Sequence, residues 1–395
     1  MKILQIIPSI SLVYGGPSQM ILGLSKALAQ QGHDVTIVTT NSNGDQGQLP
    51  LDVPLGVPQQ GDGYKIIYFN CSPFRRYKFS LPLLRWLSAN AHDYDIAHIH
   101  ALFSPVSSFS ARVCRRQNLP YILRPLGTLD PKDLHKKRWL KSIYGNLLEK
   151  PNLGGSVGVH FTSAREAEVS DTFGARVNPL VIPLGVEIPE QLTDYDRIYD
   201  TFNLPRDKTL CLFMSRIEPK KGLELLIGAL EKVLNQGVDF HFILAGANPQ
   251  DQDYVDKICD RINGSILREH TTITGFVTGE NKTGLLQLAD LFVLPSYYEN
   301  FGIAVAEAIA FSTPVLISDQ VYISDDIEKA DAGWVCSLKE QDLVDKIILA
   351  LGKESHRQEK GRNGFHLAQH NYSWSAIATK LIKKYEEFTQ KNKYK

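Results

Sequence analysis

The sequence has few cysteines and no long apolar run. Its five cysteines are scattered over 395 residues, and none of them forms a Cys-x-x-Cys pair. This pattern is typical of a reducing compartment and argues against a disulfide framework and a zinc site. No stretch approaches the roughly 20 apolar residues of a membrane-spanning helix, and the apolar start, residues 1–8, is too short for a signal peptide. We therefore expect a cytoplasmic protein.

An excess of charge of one sign is also lacking, because 43 Lys and Arg residues balance 43 Asp and Glu residues. Residues 1–195 hold 19 basic against 15 acidic residues, and the remainder holds 24 against 28. This asymmetry is too weak for nucleic-acid binding as a main function. The positive excess indicates that the first half of the chain contacts an anionic partner.

Strand and helix patterns alternate along the first half of the chain. This βαβ rhythm predicts a parallel sheet covered by helices on both faces. A helix is predicted over residues 18–31, where Gly32 ends it. Strands are predicted at residues 3–7, 35–39, 66–69, 96–100, 121–124 and 157–161.

The same rhythm restarts after a loop region rich in Pro, Asp and Tyr, residues 183–208. Strands are predicted at residues 209–214, 240–245, 273–274, 291–295 and 315–317, and helices at 223–235, 254–261, 282–289, 302–311 and 373–388. The fold class is therefore α/β, with two Rossmann-like doubly wound domains and an interdomain cleft that binds ligand. The predicted parts are an N-terminal domain (1–190), a linker (191–208), a C-terminal domain (209–372) and a last helix (373–395). Packing of this helix on the N-terminal domain and on the C-terminal domain are both open.

Two carboxylates, Glu299 and Glu307, flank a predicted strand–loop–helix junction in the segment PSYYENFGIAVAE. The free N–H groups of the first helical turn there form an anion site suited to a phosphate. Glu307 can accept hydrogen bonds from ribose hydroxyls, and Glu299 can reach the hydroxyls of a sugar beyond the phosphates. A solvated surface is the alternative, but Glu307 lies in the apolar run IAVAEAIA, where an unpaired charge is costly.

Arg216 and Lys221 follow a predicted strand in the segment MSRIEPKKGL. Two cations at the carboxyl end of a strand can stabilise a leaving nucleotide diphosphate without a metal. Basic side chains on an exposed loop are the alternative, which suits Lys220 better than its neighbours.

The Arg-x4-Lys and Glu-x7-Glu elements together resemble the retaining family 4 glycosyltransferases of GT-B fold. The resemblance covers nearly the whole chain and extends to the glycine loop GGPS and to the segment Gly275-Phe276-Val277, which resembles the family's strand-end segment that contacts the base. The first-half segment RPLGTLDP resembles a subgroup of bacterial polysaccharide-assembly transferases. The resemblance implies a nucleotide-sugar transferase and does not identify the sugar.

Site residues follow from this resemblance. The implied catalytic residues are Arg216, Lys221 and Glu299. The two cations would bind the donor diphosphate, and Glu299 would hold the transferred sugar. The implied donor-binding residues are Gly15, Gly16, Phe276, Val277, Asn300, Phe301, Gly302, Ile303 and Glu307. No cofactor and no metal are implied, because the UDP-sugar is a substrate.

The acceptor side departs from the wider family, because Leu126 stands where many members place a histidine. Arg124 or Asp130 is expected to take over polar contacts with the acceptor. His98 and His100 end a predicted strand and are expected to face opposite sides of the sheet, so that only one can face the cleft. His100, nearer the end of the strand, is the one expected to do so. Two hydrogen-bonded core or rim histidines are the alternative.

Basic residues interleave with aromatic ones in residues 74–86 and 132–141. This combination suits an anionic membrane surface or a lipid pyrophosphate acceptor. A solvated, charged helix face is the alternative.

The resemblance implies transfer of a hexosyl group, with glucose as the first expectation, from a UDP-sugar to a hydroxyl of a glycan or lipid-linked oligosaccharide. The configuration at the anomeric carbon is retained. Alternatives are another GT-B enzyme, such as a sugar-nucleotide epimerase or a phosphorylase, and a non-catalytic nucleotide-sugar-binding scaffold. A nicotinamide dehydrogenase is disfavoured, because no Gly-x-Gly-x-x-Gly follows the first strand of either half.

Overall fold

The structure is a computed structural model that describes residues 1–45, 48–72, 78–130, 138–189 and 194–393. It divides into two compact units. Unit 1 comprises Met1–Gly185 and Trp374–Lys395, and unit 2 comprises Val186–Ser373. Each unit has one central sheet, and parallel pairing dominates in both. The predicted class, α/β with two Rossmann-like domains, is confirmed.

Unit 1 contains an eight-stranded sheet in the order β3-β4-β2-β1-β5-β6-β7-β8. Every neighbouring pair is parallel except β3 with β4. The strands are β1 Lys2–Ser9, β2 Asp34–Thr40, β3 Pro58–Gln60, β4 Lys65–Phe69, β5 Ile96–His100, β6 Tyr121–Arg124, β7 Gly158–Phe161 and β8 Pro179–Val181. The order of the parallel strands reverses between β1 and β5, which places a crevice at the carboxyl ends of these two strands.

Helices cover both faces of this sheet. The helices of unit 1 are α1 Gly16–Gln30, α2 Leu81–Asn90, α3 Pro105–Arg116, α4 Arg138–Tyr144, α5 Lys150–Gly154, α6 Ala164–Ser170 and the C-terminal helix Trp374–Lys393. A π-helical turn, Gly145–Glu149, joins α4 to α5.

The core of unit 1 has two halves because successive residues of a strand face opposite sides of a sheet. Leu4 and Ile6 of β1 pack in one cluster, and Ile3 and Ile7 pack in the other. The C-terminal helix belongs to the second cluster, through apolar residues that recur at helical spacing. These are Ile377, Leu381, Tyr385 and Phe388.

Unit 2 contains a six-stranded parallel sheet in the order β11-β10-β9-β12-β13-β14. The strands are β9 Leu210–Met214, β10 His241–Ala245, β11 Thr271–Gly275, β12 Leu291–Leu294, β13 Val315–Ser318 and β14 Gly333–Cys336. The helices are α7 Tyr195–Phe202, α8 Leu223–Asn235, α9 Gln252–Asn263, α10 Gly279–Leu288, α11 Ile303–Ala310, α12 Ser324–Lys329, α13 Glu340–Gly352 and α14 Glu354–Leu367.

The prediction of a loop over residues 183–208 is wrong in part, because α7 lies inside it. Asp194 caps this helix by accepting a hydrogen bond from the Arg197 N–H (3.3 Å), and Asn203 ends it in the left-handed conformation at φ 50°. Ile198 anchors it in the core. Most residues of this short amphipathic helix are polar or aromatic, and Ile198 is its only buried position. Its sequence therefore lacks the repeated apolar residues by which a helix is predicted.

Among the helices in the described part of the chain, none is both long and apolar enough to cross a lipid bilayer.

Candidate functional site

The loops after β9 and β12 lie next to each other, because these two strands are paired in the sheet. The strand order of unit 2 reverses between them, so the connections that follow run to opposite faces of the sheet. Such a reversal leaves a crevice outside the carboxyl ends of the two strands, where ligands of doubly wound sheets bind. The Arg-x4-Lys element follows β9 and Glu299 follows β12. The sequence therefore places both predicted groups at this crevice.

Close backbone contact joins the two loops. The Tyr297 N–H donates to the Lys220 carbonyl oxygen at 2.8 Å. Gly222 adopts φ 73°, and a Cβ there would lie 2.1 Å from the Pro295 carbonyl oxygen. Only glycine satisfies both conditions. Gly222 thus fixes the position of Lys221 relative to the second loop.

Lys221 and Glu299 form an ion pair in which the Lys221 ammonium donates to Oε2 of Glu299. Lys221 is buried and Glu299 is partly buried. The backbone of Glu299 is also fixed, since its N–H donates to Gln320 (3.2 Å) and its carbonyl oxygen accepts from Tyr322 (3.0 Å). The structure therefore holds a cation and a carboxylate side by side at the crevice, in a frame built by three loops.

Arg216 is the exposed member of the basic pair, with 62% of its side chain accessible. Its guanidinium lies 3.4 Å from the Glu218 carboxylate, which also pairs with Lys220 at 3.5 Å. Glu218 is partly buried, whereas the Arg216 side chain reaches solvent and is accessible to an anionic ligand.

The start of α11 provides backbone donors. Gly302 precedes the helix in the left-handed conformation (φ 77°), and its carbonyl oxygen accepts from Val305 (2.8 Å) and Ala306 (3.2 Å). The N–H groups before Val305 precede the first intrahelical hydrogen bonds, and they carry the positive end of the helix dipole. That of Ile303 is one of them, and the sequence assigned Ile303 to the donor together with Asn300, Phe301 and Gly302, which precede the helix.

Glu307 lies on α11 and is partly buried. Sequence reasoning considered the cost of an unpaired charge here and missed its partner. The Lys282 ammonium, on α10, donates to Oε1 of Glu307 at 2.7 Å. Lys282 is 25 residues upstream of Glu307, and no motif connects the two. Oε2 of Glu307 can accept from a ligand hydroxyl while Lys282 holds the other oxygen.

The segment assigned to the nucleobase follows β11, the outermost strand on the β10 side of the sheet. Gly275 turns the chain at φ 70°, and its carbonyl oxygen accepts from Gly246 at 2.8 Å. Phe276 follows with 77% exposure, and Val277 is partly buried. A solvent-exposed aromatic ring beside a predicted nucleotide site is suited to stacking on a base.

The glycine loop lies in unit 1, after β1. Position 15, the cap residue before α1, has φ 66°. This left-handed backbone conformation favours glycine there. At Gly16, φ is not positive, and an added Cβ would meet no atom within 4 Å. Beyond its chain neighbours, no described residue requires glycine at Gly16, which is compatible with the approach of a ligand to the backbone there.

Replacement of Gly16 by alanine therefore separates folding from ligand binding. We expect the stability of Gly16→Ala to stay within about 1 kcal/mol of the wild type, because the helix preference of alanine over glycine is opposed by the steric restriction on a residue that precedes Pro17. We expect its affinity for a nucleotide sugar to fall. Thermal unfolding and calorimetry on the same sample measure both, and unchanged affinity would contradict the assignment of Gly16 to the donor.

The prediction that His98 and His100 face opposite sides of the sheet is wrong, since residues two apart on a strand share a face. Their rings stack with centroids 4.4 Å apart, and both are fully buried. His98 Nδ1 lies 2.7 Å from the Tyr385 hydroxyl, and His100 Nε2 lies 2.7 Å from Oε1 of Gln5. The hydrogen-bonded core alternative therefore describes both histidines, and His100 does not reach solvent.

Arg124 and Asp130 are also buried. The Arg124 guanidinium points into the core, where its Nη1 lies 2.6 Å from the sulfur of Met20. Burial lowers the pKa of Arg124 to about 10. In this structure neither side chain is presented at the surface, so their contact with an acceptor stays a prediction.

Family models match both halves of the chain. Residues 15–185 match "Glycosyl transferase 4-like domain", and residues 194–367 match "Glycosyl transferases group 1". An uncharacterized glycosyltransferase of Methanocaldococcus jannaschii is 24% identical over 95% of both chains. The phosphatidyl-myo-inositol mannosyltransferase of Mycolicibacterium smegmatis is 22% identical over 95% of this chain and 90% of that protein.

Solved structures share the fold of the whole chain. The sucrose-phosphate synthase of Thermosynechococcus elongatus superposes with a TM-score of 0.76 at 20% identity, over 99% of this chain and 100% of that one. Anabaena HepE in complex with UDP superposes with a TM-score of 0.76 at 18% identity, over 98% and 100% of the two chains.

Proposed function

Because the chain belongs to the family 4 glycosyltransferases of GT-B fold, we propose that it transfers a hexosyl group from a UDP-sugar to a hydroxyl of a glycan or lipid-linked oligosaccharide. The observation that carries this proposal is the Lys221–Glu299 pair at the crevice between β9 and β12, beside the free N–H groups of α11. This arrangement combines a cation for a phosphate with a carboxylate for sugar hydroxyls.

Glucose is the sugar we propose. Glu299 suits the hydroxyls of several hexoses, so the choice depends on the structural neighbours. Anabaena HepE, which shares the fold, has been solved in complex with UDP-glucose. Glu307, held by Lys282, would accept from the ribose hydroxyls, and Phe276 would cover the base.

The proposed reaction retains the anomeric configuration. The bond between the anomeric carbon and the β-phosphate oxygen breaks while the acceptor oxygen bonds to that carbon from the same face. The departing phosphate oxygen takes the acceptor proton. Arg216, Lys221 and the N–H groups of α11 stabilise the negative charge of UDP as it leaves, so that no metal is needed.

A UDP-release assay with purified protein and UDP-glucose tests this function. We expect UDP release to depend on an added sugar acceptor and to persist in EDTA. Conversion of UDP-glucose to another UDP-hexose without an acceptor would indicate an epimerase, and phosphate-dependent formation of a sugar phosphate would indicate a phosphorylase. UDP binding without any turnover would indicate a scaffold.

Peripheral contact with an anionic membrane is a further part of the proposal. Trp139, Ile143 and Leu147 lie four residues apart on α4 and the following π-helical turn, and they are 68%, 53% and 71% exposed. The surrounding sequence, residues 132–141, is rich in Lys and Arg, although residues 132–137 lie outside the described part, as do residues 74–77 of the other basic stretch. An apolar stripe within a basic segment suits an anionic lipid surface.

Vesicle sedimentation measures this contact. Wild-type protein is expected to sediment with vesicles that contain phosphatidylglycerol, and the variant Trp139→Ser/Ile143→Ser/Leu147→Ser is expected to stay in the supernatant. The control is Leu349→Ser, which removes an apolar side chain of 51% exposure in unit 2. Equal sedimentation of the triple variant and the wild type would overturn the proposal.

A further inference from the structure

The donor loop, residues 295–302 after β12, contains a buried side chain beside the residues assigned to the donor. Phe301 is 3% exposed and directly precedes Gly302, the left-handed residue at the start of α11. The Gly302 carbonyl oxygen accepts hydrogen bonds from Val305 and Ala306 in the first turn of this helix. Because the chain passes from Phe301 straight into that turn, the position of the Phe301 ring constrains the start of α11.

Phe301 packs on Tyr372, a tyrosine with no exposed surface. The two ring centroids lie 5.4 Å apart and the ring planes cross at 78°, which is the edge-to-face geometry that aromatic pairs favour. Tyr372 is the last residue of a second π-helical turn, Ala368–Tyr372, which follows α14 and packs against α11. Turns of this type are rare and frequently lie at functional sites. The Tyr372 ring is therefore a direct neighbour of the donor loop.

A hydrogen bond fixes the Tyr372 ring at its other end. The Tyr372 hydroxyl donates to Oδ2 of Asp326, on α12, at 2.7 Å. Burial and the neighbouring Asp326 carboxylate raise the pKa of Tyr372, so the hydroxyl keeps its proton and stays a donor. The backbone is fixed as well, because the Tyr372 carbonyl oxygen accepts from the Val186 N–H at 2.7 Å.

The helix that carries Asp326 belongs to the same frame as the donor loop. The chain between β13 and α12, residues 319–323, holds the backbone of Glu299 through two hydrogen bonds. Asp326 lies in the first turn of α12, three residues after this segment. The donor loop is therefore held at two points. The segment holds it directly at Glu299, and the Tyr372 ring, which Asp326 orients, holds it at Phe301.

We infer that Tyr372 and Asp326 are positioning residues for the nucleotide-sugar donor. This inference rests on the proposed transferase function. Tyr372 has no exposed surface to offer a ligand, and it acts through the ring of Phe301. The hydrogen bond between Tyr372 and Asp326 holds that ring, and with it the N–H groups at the start of α11, in the orientation that receives the donor diphosphate. Loss of the bond lowers the affinity for the donor and leaves the chain folded.

Three substitutions separate the hydrogen bond from the ring contact. Tyr372→Phe removes the hydroxyl and keeps the ring that packs on Phe301. Asp326→Ala removes the acceptor, whereas Asp326→Asn keeps an oxygen that can accept the same bond. Because Tyr372→Phe and Asp326→Ala break one and the same bond, their effects should not add. We therefore expect the double variant to resemble either single variant.

Calorimetric titration with UDP measures the effect on donor binding. We expect Tyr372→Phe and Asp326→Ala to bind UDP about three- to tenfold more weakly than the wild type, the factor that corresponds to one hydrogen bond. The double variant should bind UDP within about twofold of the single variants. Asp326→Asn should bind UDP within about twofold of the wild type, because the acceptor is restored.

Tyr385→Phe is the matched control. Tyr385 is a fully buried tyrosine of unit 1, and its hydroxyl lies 2.7 Å from Nδ1 of His98. The substitution removes a hydrogen bond of the same length from the core of unit 1, so it should lower the melting temperature and leave the UDP affinity unchanged. A purely structural role of Tyr372 would give this same pattern in Tyr372→Phe.

Amide hydrogen exchange gives a readout independent of turnover. Exchange at Val305 and Ala306, whose N–H groups donate to the Gly302 carbonyl oxygen, should accelerate about fivefold or more in Tyr372→Phe, since the start of α11 opens more often. Exchange at Val255, in the first turn of α9, should stay unchanged. A general loss of stability would accelerate exchange at all three amides alike.

Three results would overturn the inference. These are wild-type UDP affinity in Tyr372→Phe and Asp326→Ala, additive losses of affinity in the double variant, and equal acceleration of exchange in α11 and α9. Should Tyr372→Phe not fold, Asp326→Ala and Asp326→Asn carry the test, because Asp326 is only partly buried. Failure of the proposed function is distinguishable from these outcomes, because the wild type itself would then release no UDP from UDP-glucose.

Discussion

Replacement of Lys221 by methionine is expected to lower kcat for UDP-glucose turnover by about 10²- to 10³-fold, the loss typical for removal of one charge-stabilising donor. Methionine keeps the apolar stem of the side chain and removes the ammonium that we place on the leaving diphosphate. The measurement is the rate of UDP release at saturating donor. Lys220→Met is the matched control, because Lys220 is exposed and its ammonium pairs with Glu218 and not with Glu299, and it should stay within about twofold of the wild type.

Loss of the Lys221 ammonium also leaves Glu299 without its ion-pair partner, which by itself destabilises a partly buried site. The double variant Lys221→Met/Glu299→Gln separates the two effects, since the unpaired carboxylate is then absent. We expect its melting temperature to recover toward the wild type while its activity stays low. Recovery of activity together with stability would contradict a direct role of Lys221 in the reaction.

Acidification is expected to destabilise unit 1 strongly, because it contains three fully buried histidines in contact. His98 and His100 lie on β5 and His160 lies on β7, with β6 between these strands, and His160 Nδ1 is 3.3 Å from His98 Nε2. Burial, reinforced by the positive charge of Arg124, lowers the pKa of all three, that of His160 to about 3. Each histidine therefore stays neutral in the folded state at pH values where the unfolded chain takes up a proton.

The direction of the pH effect follows from these lowered pKa values. Above the unfolded pKa of about 6.5, folded and unfolded states bind the same number of protons and stability does not depend on these groups. Below this pKa the histidines bind protons in the unfolded state but stay neutral in the folded state. The free energy of unfolding therefore decreases as the pH falls. For His160 alone the loss is about 2 kcal/mol at pH 5. His98 and His100 add to it in the same direction.

Urea unfolding at pH 7 and pH 5, followed by tryptophan fluorescence, measures this loss. Three of the four tryptophans, Trp86, Trp139 and Trp374, belong to unit 1. The variant His160→Gln should lose stability at pH 7 and show a smaller difference between the two pH values than the wild type. An equal difference in both proteins would show that His160 does not titrate on unfolding as its burial requires.

The sequence predicts the strands around the site well because each is a short, continuous apolar run. The strand before Arg216 and the strand before Glu299 were both predicted, and in a doubly wound fold such strands deliver their following loops to one edge. Their pairing could not be predicted from periodicity. It comes from the strand order, in which β9 and β12 are neighbours although two other strands separate them along the chain.

Contacts between distant residues explain what sequence reasoning missed. The apolar surroundings of Glu307 indicated that it needed a partner, but nothing in the sequence pointed to Lys282. Likewise, the left-handed backbone at Leu126 follows from loop geometry and not from its residue type. Nothing in the sequence connects Tyr372 with Phe301 or Asp326 either, because contacts over such separations appear only in the folded chain.

Calorimetric titration with UDP tests most directly whether unit 2 binds the nucleotide of the donor. We expect wild-type protein to bind UDP, and Glu307→Ala to bind it at least tenfold more weakly, because the carboxylate assigned to the ribose hydroxyls is lost. Glu340→Ala, which removes an exposed carboxylate paired with Lys232, should bind as the wild type does. Equal UDP affinity of Glu307→Ala and the wild type would contradict the ribose assignment, and no UDP binding by the wild type would contradict the account as a whole.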